Sequence, residues 1–218
     1  MSDVSPRGVE RARHWDEVYG SRGETGVSWF QPRPAVSLEL VEVLGIPRDA
    51  AVIDVGGGAS SLVDQLVGQG YCDVSLLDVS RAALEATRQR LDDDTRITLL
   101  EEDVLTWQPQ RRFDLWHDRA AFHFLVDDDD RDKYLATLRS VLQPGGAVII
   151  ATFASDGPEF CSGLRVSRYS ADSLESVLGS PFVVVATRRE EHTTPGGAVQ
   201  PFTWVAARAT APDDDGGP

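Results

Sequence analysis

The chain has 218 residues, 41% of them hydrophobic, enough to bury a substantial core without disulfides. Against 21 basic side chains stand 35 acidic ones, for a formal net charge of −14, which argues against nucleic acid as a partner because an acidic protein repels phosphate backbones. Two cysteines, Cys72 and Cys161, make no disulfide framework and read as reduced thiols, and no run is long and apolar enough to cross a bilayer.

Residues 1–10 are polar and lack a signal-peptide h-region, so they read as the disordered start of a cytoplasmic chain. Residues 11–19 carry Trp15, Val18 and Tyr19 at helical spacing, and residues 35–44 carry Val36, Leu40, Val41 and Leu44 likewise, with Gly45 as a stop. An aromatic patch, Ser28-Trp29-Phe30-Gln31-Pro32, lies between them, and 11–45 together form an N-terminal cap. Strand and helix then alternate: strands at 51–55, 74–77, 96–100, 113–116 and 147–153, with helices at 60–69, 81–91 and 131–142. The run 147–153 is almost continuously apolar, as befits a strand buried on both faces. After a helix at 170–178 that starts from Ser170, strands at 182–188 and 200–207 follow with no crossover helix, so they pair antiparallel, and the polar stretch 190–199 reads as a loop.

The expected fold is α/β: a doubly wound, mostly parallel sheet with helices on both faces and a final antiparallel strand. One domain spans 11–210, its core sheet lies within 50–207, and 211–218 is a disordered acidic tail. The aspartate runs 92–94, 127–130 and 213–215 read as solvated loops and an end. No metal site is expected there, because a calcium loop intersperses its acids with glycine and carbonyl ligands.

The chemistry concentrates at the strand ends. Asp54 closes the first strand, and Gly56-Gly57-Gly58 follow. Glycine permits a sharp turn and lets a ligand approach without meeting a Cβ, and the next helix offers unpaired N–H groups. Asp78 closes the second strand 24 residues after Asp54, a spacing suited to ribose hydroxyls. A nucleoside cofactor is implied. A dinucleotide fingerprint requires a third glycine where Ser61 stands, which ranks a nicotinamide cofactor below S-adenosylmethionine, a cofactor with no phosphate. In that assignment Asp54 orients the cofactor's amino group, the glycines make room for methionine and ribose, and Asp78 accepts the ribose hydroxyls. Val79 follows Asp78 into the same site. Asp103 accepts from the adenine amino group and Val104 lies against the ring.

Five segments carry a family resemblance: Val52-Ile53-Asp54-Val55-Gly56-Gly57-Gly58, Leu76-Leu77-Asp78, Glu102-Asp103-Val104, Phe113-Asp114-Leu115-Trp116-His117-Asp118 and Leu142-Gln143-Pro144-Gly145-Gly146. Over about residues 50–155 the chain resembles the class I S-adenosylmethionine-dependent methyltransferases, and the final strand extends the likeness to 207. The family's G-x-G-x-G pattern ends here in Ser60. The resemblance implies a seven-stranded sheet with the last strand inserted antiparallel. Trp15-Asp16-Glu17-Val18-Tyr19 and Ser28-Trp29-Phe30 are similar to small bacterial members, thiopurine-methyltransferase-like ones included, and imply that the Trp29 segment covers the cofactor.

The fourth strand runs into Trp116-His117-Asp118-Arg119-Ala120-Ala121-Phe122-His123-Phe124, where an acceptor would sit. Two readings of its histidines stand open. Either His117 or His123 is the general base, or His117 caps the strand, where it also borders the cofactor, and His123 packs in the interior. The expected activity is methyl transfer to a small molecule through a thiol, amine, hydroxyl or carboxylate. A protein-directed methyltransferase, a nicotinamide-dependent oxidoreductase and a non-catalytic cofactor-binding module are the alternatives. Monomer and homodimer are both compatible with the sequence. The polar loop around Cys161 is a candidate lid.

Overall fold

The computed structural model describes residues 6–210. Helices α1 (Pro6–Arg22) and α2 (Ala35–Val43) precede β1 (Val52–Val55), α3 (Leu62–Gly68), β2 (Val74–Asp78), α4 (Arg81–Arg90) and β3 (Ile97–Glu101). Then come β4 (Phe113–Arg119), a 3-10 turn (Phe122–Phe124), α5 (Asp128–Val141) and β5 (Leu142–Phe153). A short hairpin of β6 (Phe160–Cys161) and β7 (Leu164–Arg165) leads to α6 (Ala171–Leu178), β8 (Phe182–Thr193) and β9 (Val199–Ala209).

Seven strands form one sheet in the order β3-β2-β1-β4-β5-β9-β8. Strands β1 to β5 pair in parallel, and β9 inserts antiparallel between β5 and β8. This is the expected α/β architecture with its antiparallel last strand. Its cause is visible residue by residue. Val52, Leu76, Leu115, Ile149 and Trp204 point to one face, against Leu40 and Val41 of α2 and Leu62 and Leu66 of α3. Their neighbours Ile53, Leu77, Trp116, Ile150 and Val205 point to the other, against Tyr134 and Leu138 of α5 and Leu174 of α6. Both faces are covered, so the central strands carry apolar residues on both sides, with Asp54, Asp78, His117 and Asp118 as buried exceptions toward their carboxyl ends.

Three boundaries depart from expectation, each for a physical reason. Helix α1 begins at Pro6, inside the stretch 1–10 expected to be disordered. Proline suits the first helical turn, where its missing N–H has no partner to lose. Residues 1–5 and the expected acidic tail 211–218 lie outside the described residues. The run 127–130 is not a loop: Asp127 is the N-cap of α5 and Asp128, Asp129 and Asp130 fill its first turn, where the helix dipole favours negative charge. Half of the stretch 190–199 is strand. Strand β8 continues to Thr193 and β9 starts at Val199. As the sheet's edge, β8 keeps Arg189, Glu191 and Thr193 exposed, so polar residues alternate outward without breaking it.

Strand β1 has β2 on one side and β4 on the other. The chain order reverses there, and such a switch point opens a crevice beyond the carboxyl ends of the strands.

Candidate active site

The crevice is a deep cleft. Asp54, Gly56 and Gly57 form its floor, Asp78, Val79, Asp103 and Val104 one wall, and Trp29, His117, Arg119 and Cys161 another. Gly58, expected at the cofactor, is not among the lining residues. The glycine turn is closed on by three elements. At Gly56, whose φ is +66°, a Cβ would run into the Cβ of Ala121 after β4. At Gly57 it would strike the Asp54 carboxylate and Leu76, and at Gly58 the hydroxyl of Tyr19. The turn is anchored by Gly56 N–H donating to Leu77 O at 2.7 Å.

Ser60 and Ser61, the two departures from glycine patterns, both have work. Ser60 Oγ accepts from Leu62 N at 3.1 Å, satisfying a free donor at the start of α3. Ser61 Oγ donates to Gln31 O at 2.9 Å. The N-terminal segment is thereby tied across the start of α3, where a dinucleotide would need bare glycine.

Asp54 and His117 face each other across β1 and β4. Both are buried, with Asp54 Oδ1 and His117 Nδ1 2.7 Å apart. With the carboxylate as acceptor Nδ1 carries a proton, and in the neutral ring Nε2 then accepts from the Ser37 hydroxyl, 3.0 Å away. Both ring nitrogens of His117 are thus occupied. Asp54 Oδ2 has no partner among the described residues.

Asp78 accepts from Ser80 N at 2.7 Å. Burial pushes its pKa up to about 7; N–H bonds from Ser80 and Gly58 work against this, and the charges of Asp54 and Asp16 add to it. Asp103 accepts from Leu105 N at 3.1 Å and from Arg11 Nη2 at 2.5 Å. Arg11 therefore shares the carboxylate expected to meet the adenine amino group.

Helix α1 straps the cleft. Asp16 Oδ1 accepts from Ser80 Oγ at 2.8 Å and from Ala82 N at 3.0 Å, capping α4 from another helix. Trp15 meets Trp29 edge-on at 5.7 Å and Phe124 at 4.9 Å, and Tyr19 meets Trp29 at 5.9 Å. Arg11, Trp15 and Tyr19 all line the cleft. They are spaced four residues apart and so share one helix face, a spacing visible in the sequence.

His123 is a correction. It is fully buried, packs on Phe153 at 4.8 Å and is not part of the cleft lining. The 3-10 turn aims its neighbour Phe124 at the cleft and His123 at the interior, where burial first and Arg119 second hold its pKa down to about 3. A ring so reluctant to take a proton is no general base. Asp118 and Arg119 do not pair with each other, because adjacent strand residues point to opposite faces. Asp118 accepts from Ala121 N at 2.9 Å, Phe122 N at 3.0 Å and Tyr134 Oη at 2.6 Å. Cys161 lines the cleft with its thiol pushed up to about 11 by burial, so it is no activated nucleophile.

The chain is similar to several known proteins. The Methyltransferase domain family matches residues 52–146. The chain is 26% identical over 166 residues to EEF1A lysine methyltransferase 2 of Danio rerio, covering 69% of this chain and 71% of that one. It is 27% identical over 176 residues to probable thiol methyltransferase 2 of Arabidopsis thaliana, covering 78% and 72%. The structure of a Burkholderia thailandensis 1,6-didemethyltoxoflavin-N1-methyltransferase, with bound S-adenosylhomocysteine, superposes at a TM-score of 0.67, 24% identical over 93% of this chain and 85% of that one. Sheet order and domain match converge: residues 52–146 form a methyltransferase domain, and the chain is an S-adenosylmethionine-dependent methyltransferase.

Proposed function

We propose that the protein methylates a small-molecule acceptor by in-line displacement. The observation that carries this reading is the aromatic cover of Trp15, Trp29 and Phe124, which with α1 narrows the cleft beside Arg119 and Cys161. Bound S-adenosylmethionine supplies a methyl group already activated on a sulfonium. The chain's own residues bind, orient and exclude water. Asp78 takes the ribose hydroxyls, with Val79 beside it. Asp103 and Val104 take the adenine, Gly56, Gly57 and Gly58 clear space for the methionine and ribose, and Trp29 covers them. Asp54 takes the amino group, and His117 acts as a positioning residue that holds Asp54.

Neither histidine is free to remove a proton from the acceptor, which favours acceptors that ionise unaided, thiols and carboxylates, over alcohols. A second reading, protein methylation, draws on the likeness to the EEF1A lysine methyltransferase. The full chain incubated with labelled S-adenosylmethionine and a panel of arylthiols, amines, phenols, carboxylic acids and folded proteins separates the two. Turnover with thiols or carboxylic acids is expected, and label confined to protein would overturn the small-acceptor reading. His117→Gln should raise KM for the cofactor more than it lowers kcat; a lowered kcat with unchanged cofactor KM would restore His117 as a base.

Affinity should also follow pH. Asp78 accepts hydroxyl protons best as a carboxylate, and its pKa stands at about 7. S-adenosylhomocysteine should bind about tenfold more weakly at pH 6 than at pH 8, one proton being released on binding. Asp78→Asn should flatten that dependence in a calorimetric titration series.

A further inference from the structure

Asp118 stands one residue before the end of β4, fully buried and outside the cleft lining. In the sheet Val55 of β1 and Ile150 of β5 flank it, both buried. A carboxylate in such apolar surroundings is costly. Burial raises its pKa from 3.8 to about 6, while bonds from Tyr134, Ala121 and Phe122 work against the rise. The charge holds the turn that follows β4. Oδ1 accepts from Ala121 N at 2.9 Å, and Oδ2 accepts from Phe122 N at 3.0 Å and from Tyr134 Oη at 2.6 Å. Tyr134 in turn accepts from Trp116 Nε1 at 2.8 Å, which ties the turn to α5 and back to β4. An ionised carboxylate has only acceptors and so satisfies all three donors, whereas an amide would direct its NH2 at one of them.

The turn needs holding. Ala120 has φ +72°, a left-handed conformation that a residue with a Cβ keeps only where its surroundings over-determine it. Ala120 and Ala121 line the cleft, and so does Phe124, at the end of the 3-10 turn that Ala121 caps. Ala121 is also the residue that closes on the glycine turn: its Cβ lies 2.4 Å from where a Cβ on Gly56 would stand. Val55, the register partner of Asp118, leads directly into Gly56. We propose that Asp118 is a positioning residue for cofactor binding that acts through Ala121. Its carboxylate sets Ala121 against Gly56 and so fixes the shape of the turn that receives the methionine and ribose. Asp118 itself touches no ligand. The assignment rests on S-adenosylmethionine being the cofactor.

A double-mutant cycle read by calorimetry with S-adenosylhomocysteine tests it. Asp118→Asn should weaken binding about tenfold. Ala121→Gly, which removes the touching Cβ, should weaken it about threefold. Both changes act on one contact, so the double variant should lose no more than Asp118→Asn alone. Tyr134→Phe keeps both backbone bonds to the carboxylate and should cost less, about threefold, with no added loss in the Ala121→Gly background. It takes the place of Asp118→Asn in the cycle if that variant does not fold, and thermal melts of the ligand-free variants decide this. A purely structural Asp118 would lower the melting temperature and leave the dissociation constant unchanged. That result, or losses that multiply in the double variant, would overturn the proposal. Failure of the wild-type protein to bind S-adenosylhomocysteine at all would sink the cofactor assignment itself, a distinct outcome.

Discussion

Asp78→Ala should weaken S-adenosylhomocysteine binding about a hundredfold or more without lowering the stability of the ligand-free protein. Hydrogen bonds to an ionised group contribute about 1.5–3 kcal/mol each, and a carboxylate that receives both ribose hydroxyls makes two, about 3 kcal/mol or more, which is at least about a hundredfold in affinity. The stability half follows from burial. Asp78 has its pKa raised from 3.8 to about 7, so the fold prefers the protonated acid. The stability this contributes is fully present below about pH 3.8 and is lost as the pH rises through about 7. At pH 8 alanine removes a buried charge and forfeits the bonds from Ser80 and Gly58 N–H. Calorimetry should therefore show a large loss of affinity, and a thermal melt of the free protein an unchanged or higher midpoint. An unaltered dissociation constant would refute the ribose role. A collapsed melt would mean that Asp78 supports the fold rather than the ligand.

Gly56→Ala should be the most damaging single-methyl change at the site, acting on fold and ligand together. Its backbone is left-handed at φ +66°, which costs a residue with a Cβ about 1–2 kcal/mol. The added carbon also meets the Cβ of Ala121, which cannot move without the main chain after β4. Each 1 kcal/mol lowers the melting temperature of a domain this size by about 2–4 °C, so a loss of roughly 5–10 °C is expected, with S-adenosylhomocysteine binding reduced at least about tenfold as the turn is displaced. Gly45→Ala is the matched control. Gly45 has φ +60° and nothing within 4 Å of a built Cβ. It should show the smaller, purely conformational loss and keep its affinity. Equal losses in the two variants would contradict the close approach of Ala121 as the cause.

The central sheet was readable because burial on both faces leaves continuous apolar strands, as 147–153 and Ile53 beside Val52 illustrate. The strand-end acids Asp54, Asp78 and Asp103 were readable for a related reason: a charge that ends an apolar run sits at the carboxyl edge, where the cleft opens. What escaped depends on contacts distant in sequence. That Asp16 caps α4, or that Arg11 reaches Asp103, follows from where α1 docks, which no local pattern encodes. His123 looked equivalent to His117 as a base, but a single 3-10 turn sends it into the interior. The extension of β8 through Arg189, Glu191 and Thr193 was hidden because an exposed edge strand has the composition of a loop.

The central claim, that the glycine turn and its acids serve S-adenosylmethionine rather than a dinucleotide, is tested most directly by calorimetry of the full chain against S-adenosylhomocysteine and against NAD. The account predicts saturable binding of S-adenosylhomocysteine at one site per chain and none of NAD at the same concentrations. Binding of NAD without binding of S-adenosylhomocysteine would contradict it.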